Sequence, residues 1–162
     1  MANSSIIGKA KNKIIKEFIK DKDIVSAIEP IDINSEEELV NKYIFNFNQN
    51  PHTINDVKTF ITVQVHIPRI YDFNGTYVTA KVEIWIVSHE EHMVVKNVPK
   101  VTENRNDYLS KLIDNKLNGS DWFGVGKLKL ISNVEDAYQN NWLLRQMVFE
   151  VVDINDSLCD RL

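Results

Sequence analysis

A chain of 162 residues, 43% apolar and 26% charged, can bury roughly 70% of its unfolded surface in one domain without a disulfide or metal staple. Its formal net charge of −4 argues against tight nucleic-acid binding, which needs a basic face. The single cysteine, Cys159, excludes an internal disulfide and fits a reducing compartment.

The opening "MANSSIIGKAKNK" lacks the apolar core of a signal peptide, and no later run approaches the ~20 apolar residues of a membrane span. Without a secretion signal, the sequons at Asn3, Asn74, Asn118 and Asn155 read as coincidental. The first predicted element is a helix capped by Ser4 or Ser5. Its stripe is Ile7, Ala10, Ile14, Ile15, Phe18 and Ile19, at helical spacing. "DKDIVSAI" (21–28) either extends it or starts a second helix after an Asp cap, and Pro30 ends it. A capping signal and an acidic first turn in "NSEEELVNKY" (34–43) predict a short third helix.

From residue 43 the apolar period becomes two. "YIFNFNQ" reads as a strand and "NPHTIND" (50–56) as a loop. "TFITVQVHIP" and "YVTAKVEIWIV" then form a hairpin across Asn74–Gly75, a pair suited to a type I′ turn. Counting outward from that turn pairs Ile67 with Val82, Val65 with Ile84 and Val63 with Ile86. The other face then sets His66 against Glu83 and Gln64 against Trp85, with a kink at Pro68. One face is apolar and the other polar with aromatics, a consistent register.

After the hairpin, "HMVVKNVP" predicts a short strand. "TENRNDYLSKLIDNKLNG" predicts a long helix with the stripe Tyr108, Leu109, Leu112, Ile113 and Leu117, closed by Asn118–Gly119. "GVGKLKLIS" (124–132) and "WLLRQMVFEVVDI" (142–154) are two further strands, and "NDSLCDRL" lies outside the sheet. The fold expected is α+β: an antiparallel sheet of about four to five strands, with the N-terminal helix and one long central helix packed on one face. It forms a single domain over 1–162, with a helical segment at 4–42, sheet and central helix at 43–154 and a tail at 155–162.

Few residues carry a chemical signature. His89 and His92, in "SHEEH", are one residue too close for the H-E-x-x-H zinc signature and lack further ligands, so they read as a charged turn. His66 and Glu83 form a cross-strand pair rather than an acid–base couple, since no nucleophile converges on them. His52 reads as a loop residue. Cys159 has no basic cluster to activate it, and Gly124-Val125-Gly126 leads into a strand, not the helix N-terminus that a phosphate loop needs. No metal or cofactor is expected. Trp85, Trp122, Phe123 and Trp142 default to core. The face carrying Phe60, Gln64, Trp85, Val148 and Glu150 is neither dry nor fully solvated, which marks a candidate contact with another copy or a partner.

The series "YIFNFNQNPHTINDVKTFITVQVHIPR", the hairpin, "NRNDYLSKLIDNKLNG", "WFGVGKLKLISN" and "RQMVFEVVDINDSLC" resembles the small neck and tail-completion proteins of tailed bacteriophages, those of Gram-positive hosts in particular. The likeness spans Lys13 to Cys159 and is one of element order rather than of a short motif. Within that group the architecture is most similar to the tail terminator. The resemblance implies a non-enzymatic virion protein, assembled in the bacterial cytoplasm as a ring, commonly a hexamer. Such a ring caps the tail tube, joins it to the head–tail connector and lets DNA pass through its lumen without specific binding. It also implies subunit contacts through the polar hairpin face, here Gln64, His66, Glu83 and Trp85, with Glu150 alongside. The loop at 49–56, the "SHEEH" turn and the C-terminal tail would meet the tube or connector. Two alternatives stand beside it: another head-completion or connector component, and a small metal-dependent enzyme using His66, Glu83, His89 and His92.

Overall fold

The computed structural model describes residues 4–70, 77–122, 126–138 and 141–154. The described elements are α1 (Ser5–Ile19), α2 (Lys22–Ile28), β1 (Ile44–Phe45), β2 (Thr59–Ile70), β3 (Tyr77–His89), α3 (Arg105–Leu117), β4 (Lys129–Tyr138) and β5 (Trp142–Ile154). Short 3₁₀ turns occur at Glu36–Leu39, Pro51–Thr53 and Glu90–His92. The Asn74–Gly75 turn, Phe123, Gly124, Val125, Cys159 and the tail at 155–162 lie outside the described residues.

Helix α1 buries Ala10, Ile14, Ile15, Phe18 and Ile19, the stripe its spacing requires. Ser4 stands at the N-cap position but already has helical backbone angles, and its side chain makes no capping bond. Asp21 does cap α2, its Oδ1 accepting from the amides of Asp23 and Ile24 at 3.1 and 3.2 Å. Glu29, at φ +56°, takes the left-handed turn that ends α2 just before Pro30. The helix expected at 34–43 is only the 3₁₀ turn Glu36–Leu39, without a side-chain cap from Ser35. One fully buried residue there, Leu39, is too little apolar surface to hold an α-helix against the core.

The sheet has five strands in the order β1-β2-β3-β5-β4. It is mixed, not wholly antiparallel as expected, because β1 runs parallel to β2 through the pairs Ile44–Ile61 and Phe45–Thr62. The connection at 46–58 is long enough for a crossover, so β2 re-enters in the direction of β1 instead of folding back as a hairpin. The remaining neighbours are antiparallel.

The β2–β3 hairpin forms with its faces as expected but its register displaced by two residues. Val65 pairs with Val82, Val63 with Ile84, Ile61 with Ile86, Gln64 with Glu83 and His66 with Lys81. An irregularity between His66 and Arg69 accounts for one residue of the displacement, where Pro68 cannot donate to a ladder. A shift of two preserves both faces, since side chains alternate with period two. Strand β4 begins later and runs further than the expected 124–132, and "HMVVKNVP" contributes only the isolated bridge Val94–Asn104. The span 142–154 is β5 as expected.

One continuous core joins Ile14 and Phe18 of α1, Ile24 and Ile28 of α2, and Leu109, Ile113 and Leu117 of α3 to one sheet face. That face supplies Ile61 and Val63 of β2, Val82, Ile84 and Ile86 of β3, and Met147 and Phe149 of β5. A second cluster, Phe45, Phe60, Val87, Trp142 and Leu144, lies on the opposite face at one end, with Ile54 of the 46–58 connection packed on it. Among the described residues the rest of that opposite face is mostly half-buried rather than packed into a core, and it is where the unusual chemistry sits.

Candidate functional site

Residues alternating along three strands place Gln64 and His66 of β2, Lys81, Glu83 and Trp85 of β3, and Gln146, Val148 and Glu150 of β5 on the open face. Its centre is the carboxylate of Glu83. Trp85 Nε1 donates to Glu83 Oε1 at 2.5 Å, and Gln146 Nε2 donates to the same oxygen. His66 Nε2 stands 3.2 Å from Oε2, reaching diagonally because Lys81, not Glu83, is its direct partner. Gln64 lies directly opposite Glu83, yet its Nε2 is buried without a hydrogen-bond partner. Glu150 stands apart, 3.8 Å from Lys81 Nζ.

The structure thus gathers His66, Glu83 and Trp85 and sets Gln64 beside them, while Glu150 belongs to a neighbouring pair. Gln146 is the member that the sequence reading omitted. It shares the alternation of Val148 and Glu150, so the same period-two count finds it once β5 is recognised. Trp85 also meets Tyr138 of β4, ring centroids 6.2 Å apart. Phe60 and Trp142, by contrast, are buried in the second cluster. With Trp85, Gln146 and His66 all directed at one carboxylate, the face combines a polar hub with an aromatic plate.

The two histidines of "SHEEH" do not share a site. His89 Nδ1 accepts from the Glu91 amide at 3.3 Å, and its ring stands edge-on to Trp142 at 5.3 Å. His92 turns inward, its Nδ1 2.9 Å from Thr59 Oγ1 and its Nε2 3.4 Å from Glu29 Oε2. Burial, together with the charge of Arg105, holds the His92 imidazole below its ordinary pKa, opposed by Glu29. Glu83 and His89 are six residues apart on one strand, or about 20 Å at the usual rise. Among the described residues, no three His, Cys, Asp or Glu side chains are grouped to hold a metal.

Thr59, His92 and Glu29 present a hydroxyl, an imidazole and a carboxylate in the order of a catalytic triad. The hydroxyl is wholly buried and also bonds Ser88 Oγ at 2.7 Å, which in turn bonds Asn106 Oδ1 at 2.7 Å. Buried and engaged in this way, the chain of bonds ties β2, β3 and the start of α3 together. Its anchor is Arg105, fully buried, whose guanidinium donates to the carbonyls of Ala27, His92 and Val94 and to Glu29 Oε2 at 2.6 Å. Sequence reading found neither Arg105 nor Asn106, because both sit in the first turn of a helix where polar residues are unremarkable.

A separate cleft of about 640 Å³ is lined by Ile31, Asp32, Lys42, Tyr43, Asn55, Asp56, Val57 and Lys58. Lys58 Nζ donates to the Lys42 carbonyl at 3.2 Å and lies 5.2 Å over the Tyr43 ring. Burial lowers the Lys58 pKa, against the opposing pull of Asp56. Its lining comes from three separate segments, so no local sequence signal announces it.

Fold and surface together define an α+β protein on a five-stranded mixed sheet, with one face in the core and the other partly open around a carboxylate hub. No described helix is long and apolar enough to cross a membrane. The chain belongs to the YomW family, whose model matches residues 12–151. This is a Bacillus phage-derived family of the SPβ prophage type, which makes the protein phage-associated. No curated protein matches the chain.

Proposed function

We propose that this phage-associated protein is a structural virion component, the tail terminator: a ring that caps the tail tube and joins it to the head connector. The observation that carries the reading is the open sheet face. A half-buried plate of Trp85, Gln146 and Val148 around Glu83 has the mixed aromatic and polar character of protein contacts. Phage-derived membership and the neck-protein resemblance supply the context. Assembly is by shape: copies associate through a repeated contact, the ring closes when the rotation divides the circle, and one ring face matches the tube end. The finished ring resides in the neck of the virion, with the tube and connector proteins as partners and DNA passing through its lumen.

Light scattering over a concentration series, with negative-stain images of the same sample, tests this reading. Closed rings of several ~19 kDa subunits, or rings formed on addition of tail tubes, are expected. Glu83→Gln and Trp85→Ala should lower the assembled fraction at least tenfold, about 1.4 kcal/mol, with the far-UV spectrum unchanged. Normal assembly by both variants removes the open face from the contact. A chain that stays monomeric and ignores tail tubes removes the terminator reading.

A further inference from the structure

The two ends of the sheet are unfinished in complementary ways. Strand β4 is the outer strand on one side, and seven of its ten residues are exposed, with Ile131 and Val134 56% and 53% accessible. On the other side, β1 covers β2 only at Ile61 and Thr62. From Val63 to Ile70 no described strand lies beside β2 on its outer edge. Each edge presents backbone groups with an outward-facing ladder position, the template for pairing with another chain.

The topology decides which chain fits. Three antiparallel steps separate β2 from β4, so the two edge strands run in opposite directions. A second copy in the same orientation, placed alongside, therefore offers its β2 antiparallel to β4. Self-pairing of β4 is the competing arrangement, and its charges oppose it. The register that uses the whole bulge-free run Ser132–Tyr138 centres on Glu135. It sets Glu135 against its own counterpart with Asp136 one position away, and like charges placed opposite are destabilising. The segment 63–70, "VQVHIPRI", contains His66 and Arg69 and no acidic residue, which complements the "ED" of β4. The irregularities at Ile131 and between His66 and Arg69 restrict which partners and registers are accepted.

We infer that the outer edge of β4 pairs antiparallel with the 63–70 edge of β2 on a second copy of this chain, continuing the sheet head to tail. The inference deepens the ring reading and rests on it for the identity of the partner. Every copy uses one edge of each kind, so the contact is heterologous and closes a ring or propagates. The open faces of neighbouring copies then lie on the same side of one continuous sheet. Ser132, Val134, Asp136 and Tyr138 stand on that side, opposite Val148, Gln146, Leu144 and Trp142 in the β5 register, as do Gln64 and His66. Residues facing each other across an antiparallel pair share a face, so His66 of one copy meets one of these four on the next.

Cysteine pairing tests this on the full chain in a Cys159→Ser background. Protein carrying His66→Cys is mixed in turn with protein carrying Ser132→Cys, Val134→Cys, Asp136→Cys or Tyr138→Cys and oxidised with glutathione disulfide. The expected result is a covalent dimer from one of the four mixtures and none from any variant alone, since directly opposed positions are near disulfide distance. A disulfide dimer from a β4 variant by itself means isologous pairing and overturns the inference. Rings that assemble without any His66-to-β4 cross-link overturn it too, while leaving the terminator reading standing. Absence of assembly, with or without tail tubes, overturns both.

Discussion

Arg105 shows how much a single residue can hold in this protein. Its guanidinium ties the end of α2 (Ala27 carbonyl and Glu29), the turn before α3 (His92 carbonyl) and the Val94 strand-like segment to the start of α3. Replacing it by Met removes every one of those donors, so the carbonyls of Ala27, His92 and Val94 lose this partner and Glu29 keeps only His92. Arg105→Met should cost about 3–5 kcal/mol in urea unfolding. Arg105→Lys should recover little of it, because one ammonium cannot reproduce a planar fork. His92 adds a pH dependence to the same network. Its proton is bound less readily in the folded protein than in the unfolded chain, so its contribution is complete above the ordinary pKa of 6.5. Stability then falls as the pH drops below that value and levels off beneath the folded pKa. Urea midpoints measured above and below pH ~6.5 should show this loss in the native chain and a smaller one in His92→Gln. Equal slopes for the two proteins would assign the dependence to other groups.

At the level of elements, the periodic segments were readable and their boundaries were not. Helices α1 and α3 and strands β2, β3 and β5 each carry an apolar stripe that meets the core, and the stripe alone identifies them. Strand β4 has no such stripe: beyond Ile131 it continues as "SNVEDAY", strand only because β5 offers it a ladder. One residue of the displacement in the hairpin register comes from the irregularity between His66 and Arg69, whose effect on pairing leaves no mark in hydrophobic alternation. The closing signal of α3 was legible. Gly119 takes φ +81°, and the Asn118 side chain accepts from the Leu130 amide at 3.1 Å, fastening the helix end to β4. A Cβ at Gly119 would meet nothing within 4 Å, so the cost of Gly119→Ala is conformational alone. It should be about 1–2 kcal/mol by denaturant titration, against a gain of about 0.5–1 kcal/mol for Gly8→Ala in α1, where the backbone is helical and a Cβ would meet nothing within 4 Å.

On the scale of the whole molecule, the ring proposal makes stability and assembly inseparable. Association favours the folded state by mass action, so the melting temperature should rise with protein concentration in the native chain. It should rise less in Glu83→Gln and Trp85→Ala if the open face contributes to the contact. The hub on that face was half legible. Alternation alone names His66, Glu83, Gln64 and Trp85, but the pairing of His66 with Lys81 needed the true register and the contact of Gln146 with Glu83 needed β5 set beside β3. The amino-acid sequence by itself determined which faces are apolar, the existence of the periodic helices and strands, and the central hairpin, because each follows from local spacing and backbone preference. The tertiary structure alone decided the parallel placement of β1, the insertion of β5 between β3 and β4, the burial of Arg105 and which strands stand at the edges of the described sheet. Those depend on contacts between residues far apart in the chain, which no local period encodes.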